Sequence, residues 1–247
     1  MSDYNRGFAR SIPAQADMSV DVGLRSFMLG VYNKVALGLV LSGALAWITS
    51  HQPVVNYMFQ VGPGGRVGYT LLGMIVAFSP LIILLGSAFL MKSTTPRNSG
   101  VLYWTIVSLI GASLGAVFLR YTGASVATAF FATAAAFGGL SLYGYTTKRD
   151  LGPIGSFLIM GVFGLIIASL LAMFFPNPGL IFAINALGVL IFAGLIAYDT
   201  QRLKMTYYEL GGNTDAMGVA TNYGALSLYL DFINLFQFLL HFLGQRR

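Results

Sequence analysis

The chain has 247 residues, of which 56% are hydrophobic and only 9% are charged, with a formal net charge of +6. Because a soluble domain carries about 25% charged residues, this composition excludes an ordinary soluble enzyme, a disordered chain and a nucleic-acid-binding domain. The chain has no cysteine, which excludes disulfides, thiolate nucleophiles and thiolate metal sites. The mean hydropathy of +0.75 indicates a polytopic membrane protein.

The first 27 residues are polar and of mixed charge, and they lack the apolar stretch and cleavage site of a signal peptide. We therefore expect residues 1–27 to form an attached tail and residues 28–247 to form one membrane domain. Each predicted span is close to the roughly 20 apolar residues that cross a bilayer core. The predicted fold is an all-α membrane protein with seven transmembrane helices at Met28–Ser50, Tyr69–Met91, Val101–Leu119, Ala124–Tyr145, Ile154–Phe175, Leu180–Thr200 and Val219–Leu243.

The basic residues predict the orientation of these helices. With seven spans, the tail shares one side of the membrane with the second, fourth and sixth connectors. That side holds nine basic residues and the other side holds four, so the positive-inside rule places the N-terminus in the cytoplasm and the C-terminus outside. The nine are Arg6, Arg10, Arg25, Lys92, Arg97, Lys148, Arg149, Arg202 and Lys204, and the four are Arg66, Arg120, Arg246 and Arg247.

Two of the eight acidic residues lie inside predicted spans. Asp199 is near the end of the sixth span, and Asp231 is midway along the seventh. A charge at the bilayer centre costs about 2.5–3.5 kcal/mol on insertion scales, so such a residue usually faces inward, has a partner and is functional. Hydrogen bonding between neighbouring helices is the purely structural alternative. Two such residues together favour a functional site.

Polar residues accompany Asp231 on one face of the seventh span. At about 100° per residue, Ser227, Asp231 and Asn234 fall within an arc of roughly 60°. We therefore expect this helix near the centre of the bundle, with Ser227 and Asn234 supporting the site. For Asp199 to reach Asp231, either the sixth helix continues to about Tyr208 or the seventh begins later than predicted.

Several segments resemble the Bax inhibitor family of membrane proteins. The resemblance covers essentially the whole chain, and residues 21–34 are similar to those of bacterial, particularly proteobacterial, members. It implies a bacterial inner-membrane protein in which the seventh helix is surrounded by the other six. The family signature is seen in Ala197-Tyr198-Asp199-Thr200-Gln201 and in Leu226-Ser227-Leu228-Tyr229-Leu230-Asp231-Phe232-Ile233-Asn234-Leu235-Phe236.

The resemblance also implies a pH-sensitive calcium leak gated by a pair of aspartates, here Asp199 and Asp231. Two carboxyl groups in contact share a proton and titrate together. Protonated, they would bridge the helices and close the path; ionised, they would repel and offer the oxygen ligands that Ca²⁺ prefers. We expect Ca²⁺ to contact Asp199 and Asp231 transiently as the permeant ion, with no tightly bound cofactor and with closure favoured by acid.

The chain departs from the family pattern at one position. Some relatives place an arginine near the cytoplasmic end of the second helix, paired with the sixth-helix aspartate. The second span of this chain contains no arginine, which leaves Lys92 and Arg97 as candidate cation partners in the closed state. Lysine lacks the bidentate geometry of arginine, and the sequence leaves the partner open.

A second hypothesis is a membrane interaction protein. The resemblance implies that bacterial relatives modulate a membrane-anchored, ATP-dependent quality-control protease, for which the tail would be a handle. The expected partners are thus the lipid bilayer and such a protease, and no nucleic acid. A retinal photoreceptor is excluded because the seventh span has no lysine.

The sequence gives weaker support for an enzyme than for a leak or an interaction protein. The sequence has no His-Glu-x-x-His zinc pair. An aspartyl-protease dyad also shares one proton, so Asp199 and Asp231 permit that chemistry, although both segments resemble the leak family instead. We expect no enzymatic activity.

Overall fold

The structure is a computed structural model that describes residues 21–62, 67–90 and 94–245. In these ranges the chain forms helices and one short antiparallel hairpin, in which Phe59 pairs with Tyr69. The elements in chain order are α1 (Val22–Thr49), α2 (Val55–Met58), β1 (Phe59–Val61), β2 (Val67–Tyr69), α3 (Leu71–Leu90), α4 (Pro96–Ser113), α5 (Gly115–Arg120), α6 (Gly123–Thr146), α7 (Gly152–Phe174), α8 (Pro178–Glu209) and α9 (Thr214–Leu243).

Six helices of the described chain are long and apolar enough to cross a membrane: α1, α4 with α5, α6, α7, α8 and α9. The second predicted span corresponds to α3, whose apolar part Leu71–Ser87 is shorter. Helices suit this environment because hydrocarbon offers no hydrogen-bond partners to the backbone. The prediction of an all-α membrane protein is confirmed, with six long helices and one shorter apolar helix.

Polar side chains mark where several helices begin. Asp21 accepts a hydrogen bond from the Leu24 amide at 2.9 Å, so α1 starts at Val22, before the predicted Met28. Such caps satisfy amides that have no partner within the helix. The rest of the predicted tail, residues 1–20, lies outside the described residues. The side chains of Thr95, Thr122, Asn177 and Asn213 cap α4, α6, α8 and α9 in the same way.

The long helices alternate in direction, which gives the bundle two distinct ends. At one end, the Tyr207 hydroxyl donates to Asp21 at 3.2 Å and the Asn222 amide donates to the Pro96 carbonyl at 2.9 Å. We call this the α8–α9 end, because the connector between those helices lies there. At the opposite end, the hairpin end, Arg120 donates to the Val67 carbonyl of β2 at 2.8 Å.

Helix α9 is the inner helix of the bundle. It packs against α1, α4, α6 and α8, whereas α3 packs on α4 and α7 packs on α8. Half of the most apolar 18-residue window of α9 is buried, compared with 6% for α7. The expected central position of the seventh span therefore holds with respect to four neighbouring helices.

Helix α8 continues well past the predicted end at Thr200 and stops at Glu209. A connector of four residues, 210–213, then leads into α9. Its glycines, Gly211 and Gly212, have φ angles of 57° and 84°, a region that side chains other than glycine rarely adopt. The sequence predicts two ways for Asp199 to reach Asp231. The structure shows the first of them, in which the sixth helix continues past Thr200.

A buried aspartate pair as the candidate functional site

Close glycine contacts fix the antiparallel register of α8 and α9. Gly188 of α8 packs under the ring of Phe238, and Gly224 of α9 packs under the side chain of Leu203. Interpolating between these contacts places Ser227 level with Asp199. Asp231 lies one turn further toward the hairpin end, which is about 6 Å of helix rise.

Asp199 is 5% exposed and has a polar partner on each carboxylate oxygen. The Ser227 hydroxyl donates to Oδ2, and Arg202 Nη2 lies 3.2 Å from Oδ1 in a salt bridge. Arg202 Nη2 also donates to the Ser227 hydroxyl at 3.4 Å. The guanidinium and the hydroxyl thus both engage the Asp199 carboxylate.

Asp231 has different surroundings. It is 6% exposed, and its carboxyl group neighbours that of Asp199. Oδ2 of Asp231 is buried and has no hydrogen-bond partner among the described residues. The two carboxyl groups therefore have unequal surroundings, with a polar partner on each oxygen of Asp199 and none on Oδ2 of Asp231.

A chain of hydroxyl groups next to Asp199 joins three helices. Tyr32 of α1 hydrogen-bonds to Ser141 of α6 at 2.7 Å, and Ser141 hydrogen-bonds to Thr200 of α8 at 2.8 Å. Thr200 also donates to the Ile196 carbonyl one turn earlier at 2.8 Å. This chain orients the helix turn that carries Asp199.

The next turn of α8 binds the end of α6 and the connector that follows it. Gln201 accepts from the Leu151 amide and donates to the Arg149 carbonyl, both at 2.8 Å. Lys204 donates to the Tyr145 carbonyl at 2.9 Å, and its ammonium group lies 4.9 Å from the centre of the Tyr145 ring. Gln201 and Lys204 are both buried, so this polar part of α8 belongs to the protein interior.

The interior is apolar on the other side of the pair. Leu195, which the register places level with Asp231, is buried together with Phe232, Leu235 and Phe236. The hydroxyl of Tyr229, on a different face of α9, hydrogen-bonds to Ser42 of α1 at 2.7 Å. Buried apolar side chains thus lie between the aspartate pair and the hairpin end.

The remaining predicted site residues have different positions. Ser227 contacts Asp199, as a supporting residue should. Asn234 donates to the Leu230 carbonyl of its own helix at 2.9 Å, so its amide nitrogen serves α9 itself. Arg97 is exposed at the start of α4, and Lys92 lies outside the described residues.

Arg202 is the cation that binds Asp199, and the sequence analysis did not single it out as a partner. Its signal was the spacing of three residues on one helix, which brings side chains together. The sequence alone does not single out this contact, because Arg202 also fits the pattern of a positive-inside charge beyond the end of a span.

Among the described residues, no group of three or more His, Asp or Glu side chains is arranged to hold a metal ion. Ca²⁺ takes six to eight oxygen ligands when it is firmly bound. The two carboxyl groups and the Ser227 hydroxyl supply part of such a shell.

Comparison with known proteins identifies the family. The family model described as "Inhibitor of apoptosis-promoting Bax1" matches residues 24–247. The chain belongs to the Bax inhibitor family. The resemblance found at residues 197–201 and 226–236 is thereby confirmed.

Bacterial relatives of this family are similar over nearly the whole chain. A protein of Caulobacter vibrioides is 68% identical over the full length of both chains, and the Rickettsia prowazekii protein RP147 is 42% identical, also over the full length of both. The inner membrane protein YbhL of Escherichia coli is 39% identical over 91% of this chain and 94% of its own length.

Proposed function

We propose that this protein is a pH-sensitive calcium leak of a bacterial inner membrane and that Asp199 and Asp231 form its gate. The observation that supports this most directly is the pairing of two neighbouring, buried carboxyl groups from adjacent helices. Intramembrane acidic residues of this kind mark ion and proton pathways in membrane proteins.

In the closed state, a proton bridges the two carboxyl groups. The bridge joins α8 to α9 at the level where the polar residues of the α8–α9 end meet the apolar interior. Ser227 and Arg202 balance the charge that remains on Asp199. The packed side chains beyond Asp231 then block the passage of ions.

A rise in pH opens the path by removing the shared proton. Two carboxylates 4 Å apart repel by about 4 kcal/mol at an effective dielectric constant of 20, and Arg202 offsets part of this. The repulsion separates α8 from α9, and the freed oxygens become ligands for a hard cation such as Ca²⁺. Calcium flux should therefore increase with pH.

The distribution of charge supports the proposed orientation. The basic residues Arg25, Arg97, Lys148 and Arg149 are exposed on segments of the α8–α9 end, and Arg202 lies close by. The positive-inside rule assigns this end to the cytoplasm. The name of the YbhL relative supports an inner-membrane location. In this orientation, the aspartate pair responds to cytoplasmic pH.

Calcium flux into liposomes tests the proposal. The purified protein is reconstituted with an entrapped calcium indicator, and the influx rate is measured from mildly acidic to mildly alkaline pH. We expect the wild-type rate to increase with pH. In Asp231→Asn, the amide hydrogen-bonds to Asp199 without a titrating proton, so we expect a low rate that no longer depends on pH.

Asp215→Asn is the matched control. It makes the same substitution in the same helix, but at an exposed position in the first turn of α9. This variant should retain the wild-type rate and pH response. An unchanged pH response in Asp231→Asn, or an equal loss in Asp215→Asn, would contradict the proposed gate.

The proposed alternative, modulation of a membrane-anchored protease, rests on the tail, and residues 1–20 lie outside the described residues. Deleting them separates the two roles. A leak through the helical bundle should survive the deletion, whereas protease binding through the tail should be lost. Co-purification of the protease with the shortened chain would contradict the tail-handle version.

A further inference from the structure

Helices α1 and α6 are joined at one level and separated at another. Toward the α8–α9 end, Tyr32 hydrogen-bonds to Ser141 and makes an edge-to-face contact with the ring of Phe137. Toward the hairpin end, a crevice of about 310 Å³ lies between the two helices. Gly43 of α1 and Ala127 of α6 form opposite walls of this crevice.

The floor of the crevice is the inner helix. Phe232, Ile233 and Phe236 of α9 line it, and α5 closes one side with Val117 and Phe118. The rings of Phe232 and Phe236 also pack against Phe130 of α6. The crevice thus leads from the outer surface of the bundle to the central helix.

The lining has the chemistry of a hydrocarbon site. Its one polar side chain is Ser42, whose hydroxyl is already engaged with the Val107 carbonyl at 3.2 Å and the Tyr229 hydroxyl at 2.7 Å. A polar or charged ligand would lose its hydration here without gaining a partner. The lining therefore favours an apolar occupant.

The crevice is continuous with the surface that faces lipid. Phe131 of α6, which lines the crevice, is 70% exposed, and Val40 of α1, next in the chain to the lining residue Leu39, is 71% exposed. In a chain with six membrane-crossing helices, such side chains lie against acyl chains. An opening in that surface loses dispersion contacts unless it is filled, and acyl chains are the apolar groups next to it.

We propose that this crevice binds one acyl chain of a bilayer lipid, which contacts α9 at residues 232–236. A volume of about 310 Å³ is at the lower end of the range for ligand pockets, which suits a single chain. The site follows directly after Asp231 along α9. It does not depend on the identity of the ion or on the gating mechanism.

Photocrosslinking in vesicles tests this site. The full chain is reconstituted in phosphatidylcholine vesicles containing a lipid with a diazirine on its acyl chain, irradiated, and mapped by peptide mass spectrometry. We expect label within residues 232–236 of α9, although four of these five residues are almost fully buried. Label on α7, which faces lipid along most of its length, reports general exposure to the probe.

Glycine substitutions supply matched variants. A Cβ atom built at Gly43, Gly123 or Gly139 meets nothing within 4 Å, so a side chain can begin at each position without a clash at its first carbon. Gly43 and Gly123 line the crevice and Gly139 does not. Gly43→Leu and Gly123→Leu should reduce the α9 label several-fold with the α7 label unchanged, and Gly139→Leu should change neither.

Three results would overturn the site. The first is strong label on α7 with none on residues 232–236. The second is an undiminished α9 label in both crevice-filling variants. The third is a dimer that both crevice-filling variants disrupt, with no lipid label at the crevice, which would make a second copy the occupant. Equal α7 labelling in all variants verifies that each is folded and inserted.

Discussion

The α8–α9 end and the hairpin end of this bundle are held together differently. At the α8–α9 end, side-chain hydrogen bonds join α1, α6, α8 and α9 through Tyr32, Ser141, Thr200, Asp199 and Ser227. Near the hairpin end, α1 and α6 part around an apolar crevice. In a bilayer, apolar side chains gain little by leaving lipid for protein, so polar contacts and small residues determine where helices meet.

Helix α6 shows this contrast within one element. A Cβ atom at Gly144 would overlap the carbonyl oxygen of Ala197, because α6 and α8 are in backbone contact there. At Gly123, near the other end of α6, a Cβ atom meets nothing within 4 Å. An added carbon atom therefore does not fit at Gly144, toward the α8–α9 end, whereas it fits at Gly123, toward the hairpin end.

The largest effect is expected for Gly144→Ala. The added methyl group forces the α6 and α8 backbones apart beside the aspartate pair, which should cost about 3 kcal/mol or more. Thermal unfolding in detergent and the yield of monodisperse protein measure this loss. Gly123→Ala is the control within the same helix and should keep the wild-type melting temperature; equal stability of the two variants would refute the contrast.

A smaller loss is expected for Gln201→Ala. The buried Leu151 amide and the Arg149 carbonyl lose their shared partner, which should lower the free energy of unfolding by about 1–3 kcal/mol. Gln201→Glu keeps an acceptor for Leu151 but loses the donor for Arg149, so its stability should lie between those of wild type and alanine. A neutral alanine variant would show that the connector is held by other contacts.

Arg202→Gln should change the pH response more than the stability. Without the guanidinium, the doubly ionised pair is less favourable, so the midpoint of calcium flux should move to higher pH. Because Arg202 is 46% exposed, solvent screens its charge, and we expect the shift to be small. Arg202→Lys keeps the charge and should move the midpoint less; identical profiles for all three proteins would remove Arg202 from the gate.

The smallest effect is expected for Asn234→Ala. This side chain lies beyond the pair and donates to its own helix, so the stability should change by less than about 0.5 kcal/mol, with no change in calcium flux. Stability and flux measurements on the same preparation test both expectations. A lost pH response in this variant would extend the functional site toward the hairpin end.

Hydropathy located the helices but could not tell which of them face lipid. Helix α7 has the highest mean hydropathy, 2.6, and is the least buried, whereas α9 has a mean hydropathy of 1.5 and is half buried. The physical reason is that lipid and protein interior are both apolar, so moving between them changes little. The lower hydropathy of α9 reflects polar groups such as Asp231 and Tyr229, which require partners inside the bundle.

The sequence motifs predict the candidate site, but they do not predict where the buried polar part of α8 ends. Charge patterning placed the basic residues after Asp199 at the membrane surface, yet Lys204 is buried against Tyr145 and α8 continues to Glu209. A carbonyl oxygen and an aromatic ring accept the charge of Lys204, and a single sequence does not reveal such partners. A single sequence does not predict the crevice either, because the crevice depends on the angle at which α1 and α6 diverge.

The connector between α8 and α9 restricts how the two helices can separate. Four residues tie their ends together, and the Asp199 level lies about 15 Å of helix rise away along α8. Because one end is tethered, the two helices can separate only by rotating about this connector, with Gly211 and Gly212 at the pivot. The separation of α8 and α9 then increases with distance from this pivot. A small rotation there therefore moves Asp231 further than Asp199, and it moves the phenylalanines beyond them furthest.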